Sequence, residues 1–197
     1  QLVLAYKVIQ TDPEKLIKRL EKHKAKHDKD YYYKIRARHD LQDPIEVVAR
    51  FIYLNKTCYN GLYRVNKKGE FNVPIGRYKN PSIVQEENLW RCNRALQNAT
   101  ITYQSYEKIL AGNGDFVYFD PPYHPVNGTS FTSLRDFALE LHKRGAKVML
   151  SNSNTEFIQN LYAKPPFAVR IIHAPRNVNS KASGRENVEE VLITTYG

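Results

Sequence analysis

Apolar positions recur at helical spacing in the first half of the chain and in short strand-length runs in the second. In TDPEKLIKRLEKHKAKHDKD, Leu16, Ile17 and Leu20 make one stripe on a lysine-crowded helix, with Thr11 or Asp12 placed to cap it and Pro13 in its first turn. The stretch DPIEVVARFIYLN predicts a second helix that buries Ile45, Val48, Ala49 and Ile52. Periodicity is then lost in CYNGLYRVNKKGEFNVPIGRYKNP, where Gly, Asn and basic residues accumulate. It reads as a basic β-hairpin or loop turning at Lys67, Lys68 and Gly69. EENLWRCNRALQ returns to helix and ATITYQSY alternates as a strand.

Beyond it, FVYF, LRDFALELHKRG, AKVMLSN, NTEFIQNLY, FAVRIIHA and EEVLITTY follow one another as strand and helix. Such alternation predicts a parallel α/β sheet, with ligand chemistry outside the carboxyl ends of its strands. FVYFDPPY places Asp120 at one of those ends. Pro121 and Pro122 fix φ, withhold two N–H groups and leave their carbonyls as acceptors. A stiff rim results, offering a carboxylate, carbonyl oxygens and the ring of Tyr123. An exocyclic amine suits that rim: its N–H₂ donates to Asp120 and to a proline carbonyl while Tyr123 stacks on the heterocycle. Chance would produce Asp-Pro-Pro-Tyr in a chain of this length roughly once in a thousand. His124 follows the motif, and although histidine often serves as a general base, no such role is assigned to it here.

Composition sharpens the choice of partner. Thirty Lys and Arg against twenty Asp and Glu leave a net charge of +10 over 197 residues, a surplus that draws the chain toward polyanions, nucleic acid first. No apolar run is long enough to span a bilayer, and residues 1–10 carry no cleavage-site pattern of a secretory signal. The two cysteines, Cys58 and Cys92, form neither a disulfide framework nor a metal-ligand spacing, which points to a reducing intracellular compartment.

With these residues in view, DPPY after an apolar strand resembles the motif of amino-methyltransferases acting on DNA. The hairpin YNGLYRVNKKGEFNVPIGRYKNP, followed by LSNSNTEFIQNLY and RNVNSKASGRENVEEVLITTY, is similar to the Dam-type (D12 class) adenine-N6 methyltransferases. The resemblance implies a Rossmann-like class I methyltransferase core with a mostly parallel sheet, at 1–45 and 98–197. It also implies an inserted helical and β-hairpin target-recognition domain at 46–97, with its hairpin at about 59–79. S-adenosyl-L-methionine would be the methyl donor and duplex DNA the substrate, with adenine N6 in a GATC-like site flipped out for reaction. Asp120 would hold N6, Pro121 lend its carbonyl, Pro122 fix the bend and Tyr123 stack on the base. Tyr59 and Asn60 would enter the duplex beside the target. Leu62, Arg64 and Pro74 match base-contacting positions, with Arg64 the guanine reader. Lys67, Lys68, Arg77 and Lys79 would meet phosphates or serve only as a solvated surface. Asp120, Ser105 and Tyr106 would line the cofactor, although Tyr106 also suits a half-buried core position. Ser151 and Asn152 end a strand; Asn152 fits a helix N-cap before TEFIQNL, and Arg185 is placed to approach phosphates. A restriction endonuclease is a candidate second partner. The implied setting is cytoplasmic and nucleoid-associated, in a prokaryotic cell or a phage-infected host.

Two departures stand out. A Trp-Ala-Gly-Gly-Lys-like stretch and a Phe-x-Gly-x-Gly turn, which build much of the cofactor pocket in such enzymes, are not in this sequence, whose opening QLVLAYKVIQ resembles the segment after them. A fragment of a longer chain is the preferred explanation, and a non-catalytic DNA-binding paralogue the alternative. A cytosine-N4 or RNA amino-methyltransferase would use the same motif. In addition, SFTSLRDFALEL passes abruptly from loop to helix, which predicts an interruption of the chain between about Ser133 and Leu134 in a loop over the active site.

Overall fold

Acid-proline pairs set where the first helices begin. The computed structural model describes residues 1–125, 130–175 and 187–197. In it, α1 (Leu2–Thr11) stops at Asp12, and Pro13 occupies the first turn of α2 (Pro13–Ala25), where a missing N–H costs nothing. Asp43 and Pro44 repeat the device at α4 (Pro44–Thr57), the Asp43 carboxylate accepting from the Glu46 amide at 2.9 Å. Asp28 caps α3 (Lys29–Arg36) through the Tyr31 amide at 2.7 Å. After the basic loop comes α5 (Glu86–Leu96).

Two compact units are formed, Gln1–Tyr103 and Gln104–Gly197. In the first, α1 packs on α4 and α5, and α2 on α4 and α5. Their apolar stripes supply Leu16, Leu20, Tyr32, Val48, Ala49 and Tyr53 to one core. Residues 1–45 thus pack with 46–97 instead of standing apart from them, because stripes on short amphipathic helices are buried only against one another. ATITY does not form a strand: a ladder needs a neighbour, and Tyr103 is 92% exposed.

The second unit is a four-stranded sheet of β1 (Phe116–Phe119), β2 (Lys147–Ser153), β3 (Ala168–Pro175) and β4 (Asn187–Thr194), in the order β1-β2-β4-β3. The mostly parallel sheet expected from the sequence is corrected here. Among the described residues only β1 and β2 run parallel, whereas β4 lies antiparallel between β2 and β3. A parallel pair needs a crossover, and α6 (Phe131–Lys143) supplies it between β1 and β2.

Phe131, Leu134, Phe137 and Leu141 of α6 cover Val117, Phe119, Val148, Leu150, Val191 and Ile193. The helix ends at Gly145, with φ of 91°, where the Gly145 amide bonds the His142 carbonyl and the Ala146 amide bonds that of Leu141. It runs unbroken across the predicted interruption, since the Leu134 amide donates to the Ser130 carbonyl at 3.2 Å. A short α7 (Glu156–Leu161) follows β2 and is capped by Thr155, not Asn152. Among the described residues no helix is long and apolar enough to cross a membrane.

Candidate active site and nucleic-acid interface

The pleat of β1 and β2 decides which side chains meet beyond the strand ends. With Tyr118 registered opposite Met149, the period of two puts Tyr118, Asp120 and Ser151 on the sheet face opposite α6. Ser151 Oγ donates to Asp120 Oδ1 at 3.0 Å and accepts from the Tyr118 hydroxyl at 2.8 Å. Tyr123 donates through its hydroxyl to Glu190 Oε2 at 3.2 Å, and burial holds that hydroxyl above its usual pKa. Asp120 itself is exposed, and among the described residues the carbonyls of Pro121 and Pro122 accept no hydrogen bond.

The far end of the motif is fastened by Asn152. Its Oδ1 accepts the His124 amide and the Ser153 amide, both at 2.9 Å, and so it is used for the loop rather than for capping α7. The His124 ring stacks on Phe157 at 4.8 Å and lies 3.3 Å, Nδ1 to Oγ1, from Thr155. The histidine ring is thus a wedge beside the motif. Ser151, Asn152, Tyr118 and Glu190 are the contributors that sequence reasoning did not assign to the site. The SN pair at a strand end was the visible signal.

Ser105 and Tyr106 begin a short 3-10 turn in the same unit. The Ser105 hydroxyl is exposed, while Tyr106 is half-buried with its ring packed edge-to-face on Phe137 and Phe119 at 5.6 and 6.2 Å. Arg185 lies outside the described residues.

In the first unit, residues 59–79 form a loop with isolated antiparallel bridges, Cys58 to Ile75 and Val65 to Phe71, rather than full strands. Its turn is at Gly69, with φ of 78°, closed by the Gly69 amide to the Asn66 carbonyl at 2.9 Å. The return arm is anchored because the Val73 carbonyl accepts from the Tyr32 hydroxyl at 2.9 Å and from Arg36 at 3.1 Å. At the base, Asn60 adopts φ of 52°, in the left-handed region that asparagine tolerates, and the turn leaves Tyr59 48% exposed. The Tyr59 amide donates to the Pro74 carbonyl, joining two of the predicted DNA-contacting residues. Leu62, Arg64, Lys67, Lys68, Pro74, Arg77 and Lys79 are all exposed on this loop. Arg64 is braced: Nε donates to Asn72 Oδ1 at 2.7 Å and an Nη to the Asn72 carbonyl at 3.3 Å. Such bracing removes side-chain entropy before any ligand arrives.

Comparison with known proteins gives the family of the chain. The sequence model described as D12 class N6 adenine-specific DNA methyltransferase matches residues 1–178. Type II methyltransferase M.MjaIII of Methanocaldococcus jannaschii is 43% identical over 224 residues, covering 99% of this chain and 77% of that protein. Type II methyltransferase M1.LlaDCHI of Lactococcus lactis subsp. cremoris is 39% identical, covering 100% of this chain and 77% of its own length. The DNA adenine methylase of Escherichia coli K12 is 34% identical, with 83% of this chain and 64% of that protein covered. On the match of its own sequence, over most of its length and through both units, the chain belongs to the D12 class of N6 adenine-specific DNA methyltransferases.

Proposed function

We propose that the chain transfers a methyl group from S-adenosylmethionine, the donor that membership of a DNA methyltransferase family implies, to N6 of an adenine flipped from duplex DNA, within a GATC-like site. The observation that carries the reading is the Asp120 carboxylate, exposed at the carboxyl end of β1 and held there by Ser151, beside proline carbonyls without partners among the described residues. An amine entering this rim donates one N–H to Asp120 and the other to the Pro121 carbonyl. Both bonds keep electron density on nitrogen, and the carboxylate offsets the positive charge that develops as the new bond forms. Tyr123 stacks on the purine, its hydroxyl tied to Glu190 so that the ring is oriented beforehand.

The cofactor supplies an electrophilic methyl group on a sulfonium. Ser105 and Tyr106 fit one wall of its site, an exposed hydroxyl beside an aromatic ring that is supported from behind by Phe119 and Phe137. In the first unit, Tyr59 and Asn60 enter the duplex, Leu62, Arg64 and Pro74 read base edges, and Lys67, Lys68, Arg77 and Lys79 take phosphates. We place target recognition in residues 46–97 and catalysis in a Rossmann-like class I core. Asp120→Ala is expected to abolish N6-methyladenine formation on a plasmid while leaving duplex binding intact. Mapping of modified bases by single-molecule sequencing reads both activity and site, and an Asp120→Ala protein that still methylates would overturn the assignment.

A further inference from the structure

What fixes the direction of the Asp120 carboxylate is not contained in the motif itself. Ser151 is only 3% exposed, so its hydroxyl has to be satisfied within the protein. It has a single hydrogen to give. The Tyr118 phenol donates into one side of Ser151 Oγ at 2.8 Å, and the serine hydrogen goes to Asp120 Oδ1 at 3.0 Å. Oδ2 of Asp120 has no partner among the described residues. We infer that Ser151 is a positioning residue for methyl transfer, locking one carboxylate oxygen so that the other faces the acceptor amine, and that Tyr118 sets the direction of the serine hydrogen.

The relay rests on the assignment of Asp120 to the amine. It works because a carboxylate left to rotate about its side-chain bonds samples many orientations in which the amine lone pair is misaligned, and preorganisation removes them. Loss of the relay acts on rate more than on duplex affinity, which comes mainly from phosphate contacts.

Steady-state kinetics of the full chain on duplex DNA, read as N6-methyladenine, test this. Ser151→Ala is expected to lower kcat about tenfold with KM for DNA within about twofold, the size of one hydrogen bond to a charged group. Ser151→Thr, which keeps the hydroxyl, restores most of the rate. Tyr118→Phe lowers kcat by about threefold, and the double variant Ser151→Ala with Tyr118→Phe is no slower than Ser151→Ala alone, since both changes break one chain of bonds. Tyr118 is half exposed, so loss of its hydroxyl leaves the fold intact and the test stands even where Ser151→Ala folds poorly. Additive losses in the double variant overturn the relay. So do wild-type rates for Ser151→Ala and Tyr118→Phe when Asp120→Ala is inactive. An active Asp120→Ala protein instead sinks the assignment of Asp120, a separate result in the same assay.

Discussion

Acidification should destabilise the first unit through one buried ring. His23 is 1% exposed, stacked on Tyr53 at 4.8 Å, with Nδ1 2.9 Å from the Tyr31 hydroxyl and Nε2 without a partner among the described residues. Burial, followed by repulsion from Arg19, pushes its pKa from 6.5 down to about 4, with Arg38 and Lys26 acting in the same sense and Glu46 opposing them. Folded and unfolded chains both carry a neutral imidazole above pH 6.5, so stability there does not depend on it. Below that value the unfolded chain binds a proton that the folded chain refuses, and folding weakens as pH falls until the folded ring also titrates near 4. Linkage gives a loss of about 2 kcal/mol by pH ~5 and about 3 kcal/mol once pH is below the folded value. Trp90, the only tryptophan, sits in α5 of the same unit and reports its unfolding in urea. His23→Phe keeps an aromatic ring against Tyr53 but cannot titrate. Its loss of stability between about pH 8 and about pH 5 should therefore be smaller than the parent's by about 2 kcal/mol. Equal losses in the two proteins would refute the argument, because His27 and every carboxylate are common to both.

Three further outcomes concern the loop at 59–79. Gly76→Ala would bring a Cβ to 2.8 Å from the Cys58 carbonyl oxygen and 2.5 Å from the Tyr78 ring, and while the exposed ring can swing away, the carbonyl is held by the Cys58 to Ile75 bridge. A loss of about 1–3 kcal/mol in urea unfolding, with weaker duplex binding, is expected, and an unchanged midpoint would show that the base of the loop yields. Arg64→Ala should cut discrimination at its base pair by about 1–3 kcal/mol in competition binding, with little change in non-specific affinity. Asn72→Ala, which frees the guanidinium without removing it, should erode the same preference to a lesser degree. Full discrimination in Asn72→Ala would mean that the bracing of Arg64 is incidental.

Local signals in the sequence were read correctly where one residue decides the outcome. Asp12 with Pro13 marks a helix start by chemistry within a few residues, and α2 begins there, although Asp12 makes no side-chain cap bond. The stripe Leu16, Ile17 and Leu20 is buried as its helical spacing predicts. Strand partners were not legible: the alternation of Val191 and Ile193 is the same whether β4 runs parallel or antiparallel, and nothing local tells it to enter between β2 and β3. ATITY had the alternation without a ladder. His23 reads in the sequence as one more residue in a lysine-rich helix, and only tertiary packing on Tyr53 makes it a buried, neutral group.

The proposed catalytic rim divides along the same line. Asp120 to Tyr123 announced themselves because two prolines after a strand are chemically unusual, whereas Ser151 and Asn152 are ordinary residues whose meaning depends on register. Each is 3% exposed at the end of β2, and a buried hydroxyl or amide left unbonded would cost about 1–3 kcal/mol. Ser151 meets that demand on Asp120 and Asn152 meets it on the His124 amide, one at each end of the motif. Adjacent strands in parallel register make both bonds attainable at once, since neighbouring residues of β2 point to opposite faces of the sheet. If the loop relaxed away from the strand, each buried group would lose one bond, Ser151 keeping only its Tyr118 donor and Asn152 Oδ1 only the Ser153 amide. Rigidity at the rim therefore comes from β2 as much as from the prolines, which restrict the backbone but do not attach it to anything.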